Sequence, residues 1–171
     1  IVMLTLTEFA DQTHRICRAG DLPLIVDADH GYGNALNVMR TVEALENAGV
    51  SALTIEDTEL PPAHGRGNSR RLIKIDEGIG KMKSALSGRT DPELVIAGRT
   101  SAVQISGTNE AILRGQAYEE AGVDALFFTG ITTRNQLQKV SESTRLPIML
   151  GTLSEELNDR KYLSSMGVRI A

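Results

Sequence analysis

The sequence has one cysteine and no tryptophan in 171 residues, and its other aromatic residues are few. Because Cys17 stands alone, an internal disulfide and a zinc site built from cysteines are excluded. The low aromatic content and the net charge of −4 disfavour a nucleic-acid surface, which needs basic clusters and stacking side chains. No apolar run approaches the roughly 20 residues of a membrane span, and no stretch resembles a signal peptide. These absences predict a soluble, cytoplasmic protein that binds neither nucleic acid nor membrane.

Short apolar runs alternate with helical patterns along the chain, and the 41% hydrophobic content is enough for one core. We therefore expect a single domain over residues 1–171. Helices are predicted at residues 7–19 (with Thr7 as N-cap), 35–48, 75–87, 109–121, 133–143 and 155–165. Strands are predicted at residues 24–28, 52–56, 94–97, 125–129, 147–150 and from 168 onward.

A repeated phrase marks the passage from helix to strand. Ala-Gly-Val-Ser-Ala-Leu at 48–53 returns as Ala-Gly-Val-Asp-Ala-Leu at 121–126. Strict strand–helix alternation implies a parallel sheet with right-handed crossovers. Polar residues follow several different strands, as they do on the active face of a (β/α)8 TIM barrel.

Six strands are two fewer than a closed barrel needs. The chain is therefore predicted to form an incomplete TIM barrel, and we expect further residues before Ile1 and after Ala171 in the native molecule. An open six-stranded doubly wound sheet is the alternative, although a third glycine of the dinucleotide signature is missing after Gly31 and Gly33.

Two carboxylates lie at the end of the first predicted strand. Asp27 and Asp29 are two residues apart, so strand alternation would place them on the same side. Two like charges held close need a cation or a shared proton, and hard carboxylate oxygens suit Mg²⁺. The structural alternative is a helix N-cap beside a solvated acid.

Three motifs together resemble the isocitrate lyase/phosphoenolpyruvate mutase superfamily. They are Asp-Ala-Asp-His-Gly-Tyr-Gly-Asn at 27–34, Thr-Ile-Glu-Asp-Thr at 54–58 and Ala-Gly-Arg-Thr at 97–100. The resemblance covers the whole chain and is closest to the oxaloacetate decarboxylase branch.

The resemblance implies a role for each matching residue. Asp27 would bind Mg²⁺ directly (Mn²⁺ is the alternative ion), and Asp29 and Glu56 would hold metal-bound waters. Arg99 would contact the carboxylate and oxyanion of a small 2-oxo acid substrate. The segment 58–72 would be a mobile gate, and it is longer than the usual strand–helix connection. The superfamily also implies a homotetramer.

Departures from the family pattern narrow the function. The gate contains no cysteine, so cleavage of an isocitrate-type bond would lose its proton donor, and Thr152 stands where the decarboxylase branch often has tyrosine. The leading expectation is Mg²⁺-dependent decarboxylation of oxaloacetate to pyruvate and CO₂ through an enolate. The alternatives are phosphonopyruvate or phosphoenolpyruvate chemistry, a methylisocitrate- or dimethylmalate-type lyase, and a non-catalytic carboxylate-binding barrel.

The remaining candidates have structural readings beside the functional ones. Glu56 could simply cap a strand end, and Arg99 could pair with it structurally as well as acting on substrate. His64, in the gate, is a candidate catalytic residue, whereas His30 is expected to support or pack against the site. His14 and Tyr118 fall on predicted helix faces and are expected to be structural.

Overall fold

Strands and helices alternate along the part of the chain that the computed structural model describes, residues 3–61 and 70–171. The strands are β1 Ile25–Asp27, β2 Ala52–Glu56, β3 Val95–Thr100, β4 Ala125–Phe128, β5 Ile148–Leu150 and β6 Val168–Ile170. The α-helices are α1 Leu6–Cys17, α2 Ala35–Asn47, α3 Ile75–Gly88, α4 Ala102–Ile105, α5 Thr108–Ala121, α6 Arg134–Glu142 and α7 Arg160–Ser165. A short 3₁₀ helix, Glu155–Leu157, precedes α7.

The six strands form one parallel sheet whose spatial order is the same as their order in the sequence. A doubly wound sheet would reverse direction at a switch point, and this sheet does not. The architecture is a half-barrel of the TIM type, as the sequence predicted. Within the described residues, β1 and β6 do not pair with each other, so these six strands leave the barrel open.

The two faces of the sheet carry different side chains. The outer face packs against the helices and forms the main core, which includes Leu53, Ile96 and Leu126 at the centre of the sheet. The inner, concave face has a much smaller apolar cluster of Ala97, Ala125 and Met149, with Phe127 against it. Asp27, Glu56 and Arg99 alternate with outward-facing residues on their strands, so they lie on the concave side.

Helix starts follow local capping chemistry. The Thr5 hydroxyl accepts a hydrogen bond from the Glu8 amide at 3.2 Å, and the Glu8 carboxylate accepts one from the Thr5 amide at 2.8 Å. This capping box begins α1 at Leu6, so the prediction of Thr7 as N-cap was wrong. Asn34 caps α2 through the amides of Leu36 and Asn37.

Other boundaries differ from the prediction as well. β3 continues to Thr100, so Arg99 lies inside the strand and not after it. The single helix predicted at 155–165 is divided, because the Asp159 carboxylate accepts hydrogen bonds from the Lys161 and Tyr162 amides and starts α7 afresh. The four-residue helix α4 was not predicted.

The described residues include no helix long and apolar enough to cross a membrane.

Candidate active site at the carboxyl ends of the strands

Three charged side chains from neighbouring strands meet on the concave face. Register places Glu56 beside Arg99, and Asp27 beside Thr54, which lies two residues before Glu56. Each charged residue is at or next to the carboxyl end of its strand. This is where parallel α/β barrels gather their active-site residues.

Asp27 is held by both of its carboxylate oxygens. Oδ1 accepts hydrogen bonds from the Thr54 hydroxyl at 3.1 Å and from the Asp29 amide at 3.0 Å, and Oδ2 pairs with Arg99 Nη1. The side chain is nevertheless 40% exposed, so it faces the open side of the half-barrel. The carboxylate is therefore fixed in place and still accessible to a ligand.

Glu56 is the buried member of the group, at 5% exposure. Its Oε2 accepts a hydrogen bond from the Thr58 hydroxyl at 3.1 Å and lies 3.3 Å from Arg99 Nη2. Burial raises the pKa of Glu56 above its ordinary value, and Asp27 and Asp29 add to the rise, whereas Arg99 and Thr58 oppose it. The carboxylate is thus more easily protonated than an ordinary glutamate.

Asp29 reaches the site by a turn, and the expected strand alternation does not apply to it. Its φ of 49° is left-handed, a conformation that aspartate tolerates better than most residues. The turn brings the Asp29 amide onto Asp27 and its carbonyl onto the Glu56 amide, at 2.8 Å. Burial raises the pKa of the Asp29 carboxyl, and the charge of Asp27 raises it further.

Gly31 lets this turn close against helix α2. Its φ is +74°, and a Cβ built there would collide with Val38 of α2. The carbonyl of Gly31 also accepts a hydrogen bond from the Thr41 hydroxyl at 3.1 Å. Glycine is therefore required at this position, both for its conformation and for the close approach.

Arg99 links two of the acids and keeps one N–H group spare. Besides its contacts to Asp27 and Glu56, its guanidinium carbon lies 5.3 Å from the centre of the Phe127 ring. Its Nε is buried and has no hydrogen-bond partner among the described residues. The pairing of Arg99 with Glu56, which the sequence suggested as a structural role, is present. The unpaired Nε is a further donor for an anionic ligand.

Lys81 and His30 lie behind the site, and only His30 was predicted to support it. Lys81 of α3 is buried, and its Nζ donates a hydrogen bond to the His30 carbonyl at 3.0 Å. Burial lowers the pKa of Lys81, and it also lowers the pKa of the His30 imidazole. Buried Nδ1 of His30 has no partner among the described residues. These features fit the supporting role expected for His30.

Tyr32 was not singled out from the sequence. It has a left-handed φ of 61°, and its ring lies 6.4 Å from that of Phe9. Its hydroxyl is buried without a partner in the described part of the chain. Burial and the charge of Asp29 raise the pKa of Tyr32 to about 12, so the hydroxyl stays protonated.

The donor set fits a divalent cation of the magnesium type. In residues 3–61 and 70–171, no three side chains of His, Cys, Asp or Glu stand close enough to hold a metal by themselves. Hard divalent cations such as Mg²⁺ are bound by one or two carboxylates, and water or ligand oxygens complete the coordination shell. Asp27, with Asp29 and Glu56 nearby, supplies hard oxygens in the accessible part of the site.

Some predicted elements lie beyond what the structure tests. Residues 62–69 of the predicted gate, which include His64, lie outside the described residues. The two ends of the gate segment are described: Thr58 and Leu72 form an antiparallel bridge. Thr152 is exposed just after β5.

Comparison with known proteins identifies the family. Residues 2–171 match the family described as phosphoenolpyruvate phosphomutase. The chain belongs to this family. It is 58% identical over 171 residues to an oxaloacetate decarboxylase of Bradyrhizobium diazoefficiens, covering 100% of this chain and 59% of that protein. The resemblance inferred from the three motifs is confirmed.

Solved structures of the family have the same fold. A phosphoenolpyruvate phosphomutase from Streptomyces platensis superposes with a TM-score of 0.86 at 28% identity, covering 98% of this chain and 60% of that one. A phosphonopyruvate hydrolase in complex with oxalate and Mg²⁺ gives 0.85 at 31% identity, with coverage of 98% and 59%. The chain therefore spans about three-fifths of the length of its relatives.

Proposed function

We propose that the site decarboxylates oxaloacetate, or a close 2-oxo dicarboxylate, to pyruvate and CO₂. The carrying observation is Arg99, a guanidinium only 16% exposed that pairs with Asp27 and Glu56 at the mouth of the half-barrel and keeps one donor spare. The 58% identity to a relative named oxaloacetate decarboxylase supports this substrate over the others in the family. The phosphonopyruvate hydrolase, at 31%, is much less similar.

The reaction places negative charge where Arg99 can stabilise it. The bond between C3 and the distal carboxylate breaks, CO₂ leaves, and the electron pair moves through C2 onto the keto oxygen to give an enolate. A proton delivered to C3 then gives pyruvate. A guanidinium held rigidly by Asp27, Glu56 and the Phe127 ring needs no reorganisation as this charge develops.

Asp27, Asp29 and Glu56 would hold the divalent cation, with Asp27 as the direct ligand. When bound, Mg²⁺ supplies Lewis acidity toward the keto and carboxylate oxygens of a 2-oxo acid. Thr54 orients Asp27 for this role, and Thr58 orients Glu56. His64 stays a predicted catalytic residue, and no proton donor to C3 is assigned among the described residues.

The test measures pyruvate formed from oxaloacetate with Mg²⁺, with EDTA, and with EDTA followed by excess Mg²⁺. Free metal ions also decarboxylate oxaloacetate, so Asp27→Ala at the same metal concentration is the necessary control. We expect turnover by the wild type that EDTA abolishes and Mg²⁺ restores, and none above background for Asp27→Ala.

Phosphonopyruvate is assayed in parallel by phosphate release. If phosphate is released from phosphonopyruvate faster than pyruvate is formed from oxaloacetate, phosphonopyruvate replaces oxaloacetate as the proposed substrate. Rates equal to background for both wild type and Asp27→Ala on both substrates would refute catalysis and favour the non-catalytic alternative.

A further inference from the structure

Arg114 is a buried cation on the outer side of the sheet, in the layer of helices and not on the concave face. It lies on α5 and is only 5% exposed. Its Nη1 donates to Asp57 Oδ2 at 3.0 Å, its Nη2 to the Ile73 carbonyl at 3.0 Å, and its Nε to Glu110 at 2.8 Å. Separate N–H groups of the guanidinium therefore bind Asp57 and Ile73, which lie on two different segments of the chain.

Asp57 is fully buried, and its carboxylate is shared by two donors. Oδ2 accepts hydrogen bonds from Arg114 and from the Tyr118 hydroxyl, at 2.7 Å. Burial and the Asp57 charge raise the pKa of Tyr118, so its hydroxyl remains a donor. We call Asp57, Glu110, Arg114 and Tyr118 the buried network. Within this network the Asp57 carboxylate is shielded from water.

The partners of Arg114 stand at the two ends of one connection. Asp57 follows the last residue of β2, and Ile73 lies two residues before α3. The Ile73 amide also donates to the Asp57 carbonyl at 2.9 Å, and the Glu59 amide donates to the Arg71 carbonyl at 2.8 Å. Arg114 thus fastens both ends of the β2–α3 connection to α5.

The same backbone carries the candidate site. Glu56 immediately precedes Asp57 and points to the opposite face of the sheet, as alternation along a strand requires. The Asp57 amide donates to the Arg99 carbonyl at 3.3 Å, and the Thr58 hydroxyl binds the Glu56 carboxylate. A shift of Asp57 would therefore move the backbone of both Glu56 and Arg99.

We propose that Arg114 is a positioning residue: by binding the Asp57 carboxylate and the Ile73 carbonyl together, it fixes the backbone from which Glu56 and Arg99 reach the site. This role rests on the proposed function of that site. Tyr118 assists by holding the same oxygen of Asp57. Arg114 touches neither substrate nor metal and acts through Asp57.

The chain offers a matched control in Arg89. Its guanidinium also binds one carboxylate, Asp124 at 2.6 Å, and one carbonyl, that of Leu94 at 2.8 Å. These contacts lie before β3 and β4, at the ends of the strands opposite the site. Arg89→Met and Arg114→Met therefore break similar contacts at the two ends of the sheet.

The experiment compares both variants with the wild-type protein by hydrogen exchange and by steady-state kinetics. In Arg114→Met the amides of Asp57, Glu59 and Ile73 should exchange at least tenfold faster, and they should not change in Arg89→Met. With oxaloacetate and Mg²⁺, kcat of Arg114→Met should fall about 10- to 100-fold with little change in KM, because misplaced groups lose turnover first. Arg89→Met should stay within threefold.

Two milder variants cover the case in which Arg114→Met does not fold. Arg114→Lys keeps the charge but loses the planar fork that reaches Asp57 through one nitrogen and Ile73 through another, and Tyr118→Phe removes a single donor. Both should speed exchange at Asp57 and lower kcat by smaller factors. Arg114→Lys with wild-type exchange and wild-type kcat would overturn the proposal.

The readouts separate this proposal from the proposed function. Hydrogen exchange needs no activity, so an inactive wild type would refute the decarboxylase while the fastening of the connection could still be measured. If the wild type decarboxylates oxaloacetate and Arg114→Met speeds exchange without lowering kcat, the positioning role is refuted and the proposed function stands.

Discussion

At the scale of single residues, the ionised carboxylate of Asp29 lowers the stability of the folded protein. Its folded-state pKa is raised above the ordinary 3.8 by burial and by Asp27. Ionisation therefore destabilises the fold: the penalty is absent below pH 3.8, grows as pH rises toward the raised pKa, and is complete at neutral pH.

Asp29→Asn should therefore stabilise the metal-free protein at pH 7 by about 0.5 kcal/mol, a small gain because partly exposed charges are screened. Thermal unfolding in EDTA at pH 7 and at pH 3.5 measures it, and the gain should vanish at the lower pH. Asp11→Asn, an exposed carboxylate on α1, is the control and should change little. A lower midpoint for Asp29→Asn at pH 7 would contradict the assignment.

Arg99 depends on the shape of its guanidinium as well as on its charge. It binds Asp27 through one nitrogen and Glu56 through another, over the Phe127 ring. A lysine has a single ammonium and cannot reproduce this fork. Arg99→Lys should lower kcat/KM for oxaloacetate about 100-fold, as loss of a preorganised oxyanion donor does. Steady-state kinetics measures this, and a loss of less than threefold would show that charge alone suffices.

The sequence predicted which charged residues meet on the concave face better than it predicted the contacts behind them. Asp27, Glu56 and Arg99 were identified because strand-end positions follow from apolar runs and the motifs are specific. The turn at Asp29 was misjudged, since a left-handed residue breaks the alternation from which its side was inferred. Arg114 was missed because its partner Asp57 lies 57 residues away, a separation that no local pattern reveals.

At the scale of elements, helix α3 contains two glycines with opposite surroundings. A Cβ on Gly78 would lie 2.5 Å from the hydroxyl of buried Tyr118, whereas a Cβ on Gly80 would meet nothing within 4 Å. Gly80→Ala should raise the free energy of unfolding by about 0.5–1 kcal/mol, since alanine favours helix. Gly78→Ala should lower it by about 1–3 kcal/mol through overpacking.

Chemical denaturation of the two variants beside the wild type measures both effects. Each change adds one methyl group to the same helix, so each serves as the control for the other. Equal shifts of the same sign would show that α3 does not pack on Tyr118 as described.

Element boundaries were predictable where local chemistry decides them. β2 has the predicted bounds, because a glycine turn precedes it and the acidic pair Glu56-Asp57 marks its end. α1 began two residues earlier than expected from Thr7, since Thr5 and Glu8 form a capping box that competes with it. The division before α7 depends on Asp159, a cap inside an otherwise helical pattern.

At the scale of the whole molecule, the homotetramer implied by the family resemblance remains a prediction. The described surface carries several large exposed apolar side chains away from the open edges of the sheet, among them Met3, Leu22 and Leu36, and contiguous apolar surface of this kind is typical of interaction sites. Light scattering coupled to gel filtration should give four times the mass of the chain at micromolar concentration. A mass of one chain at every concentration would contradict it.

The sequential order of the strands also has a consequence for synthesis. Because β1 to β6 lie side by side in the order in which they are encoded, each new strand can add to an edge that already exists as the chain leaves the ribosome. Asp27, Glu56 and Arg99 emerge before residue 100, and Arg114 and Tyr118 follow within α5. At roughly 5–20 residues per second, the interval from Asp27 to Tyr118 is on the order of 5–20 seconds. The charged groups of the site and the network that fastens them can thus come together before β4, β5 and β6 have left the ribosome.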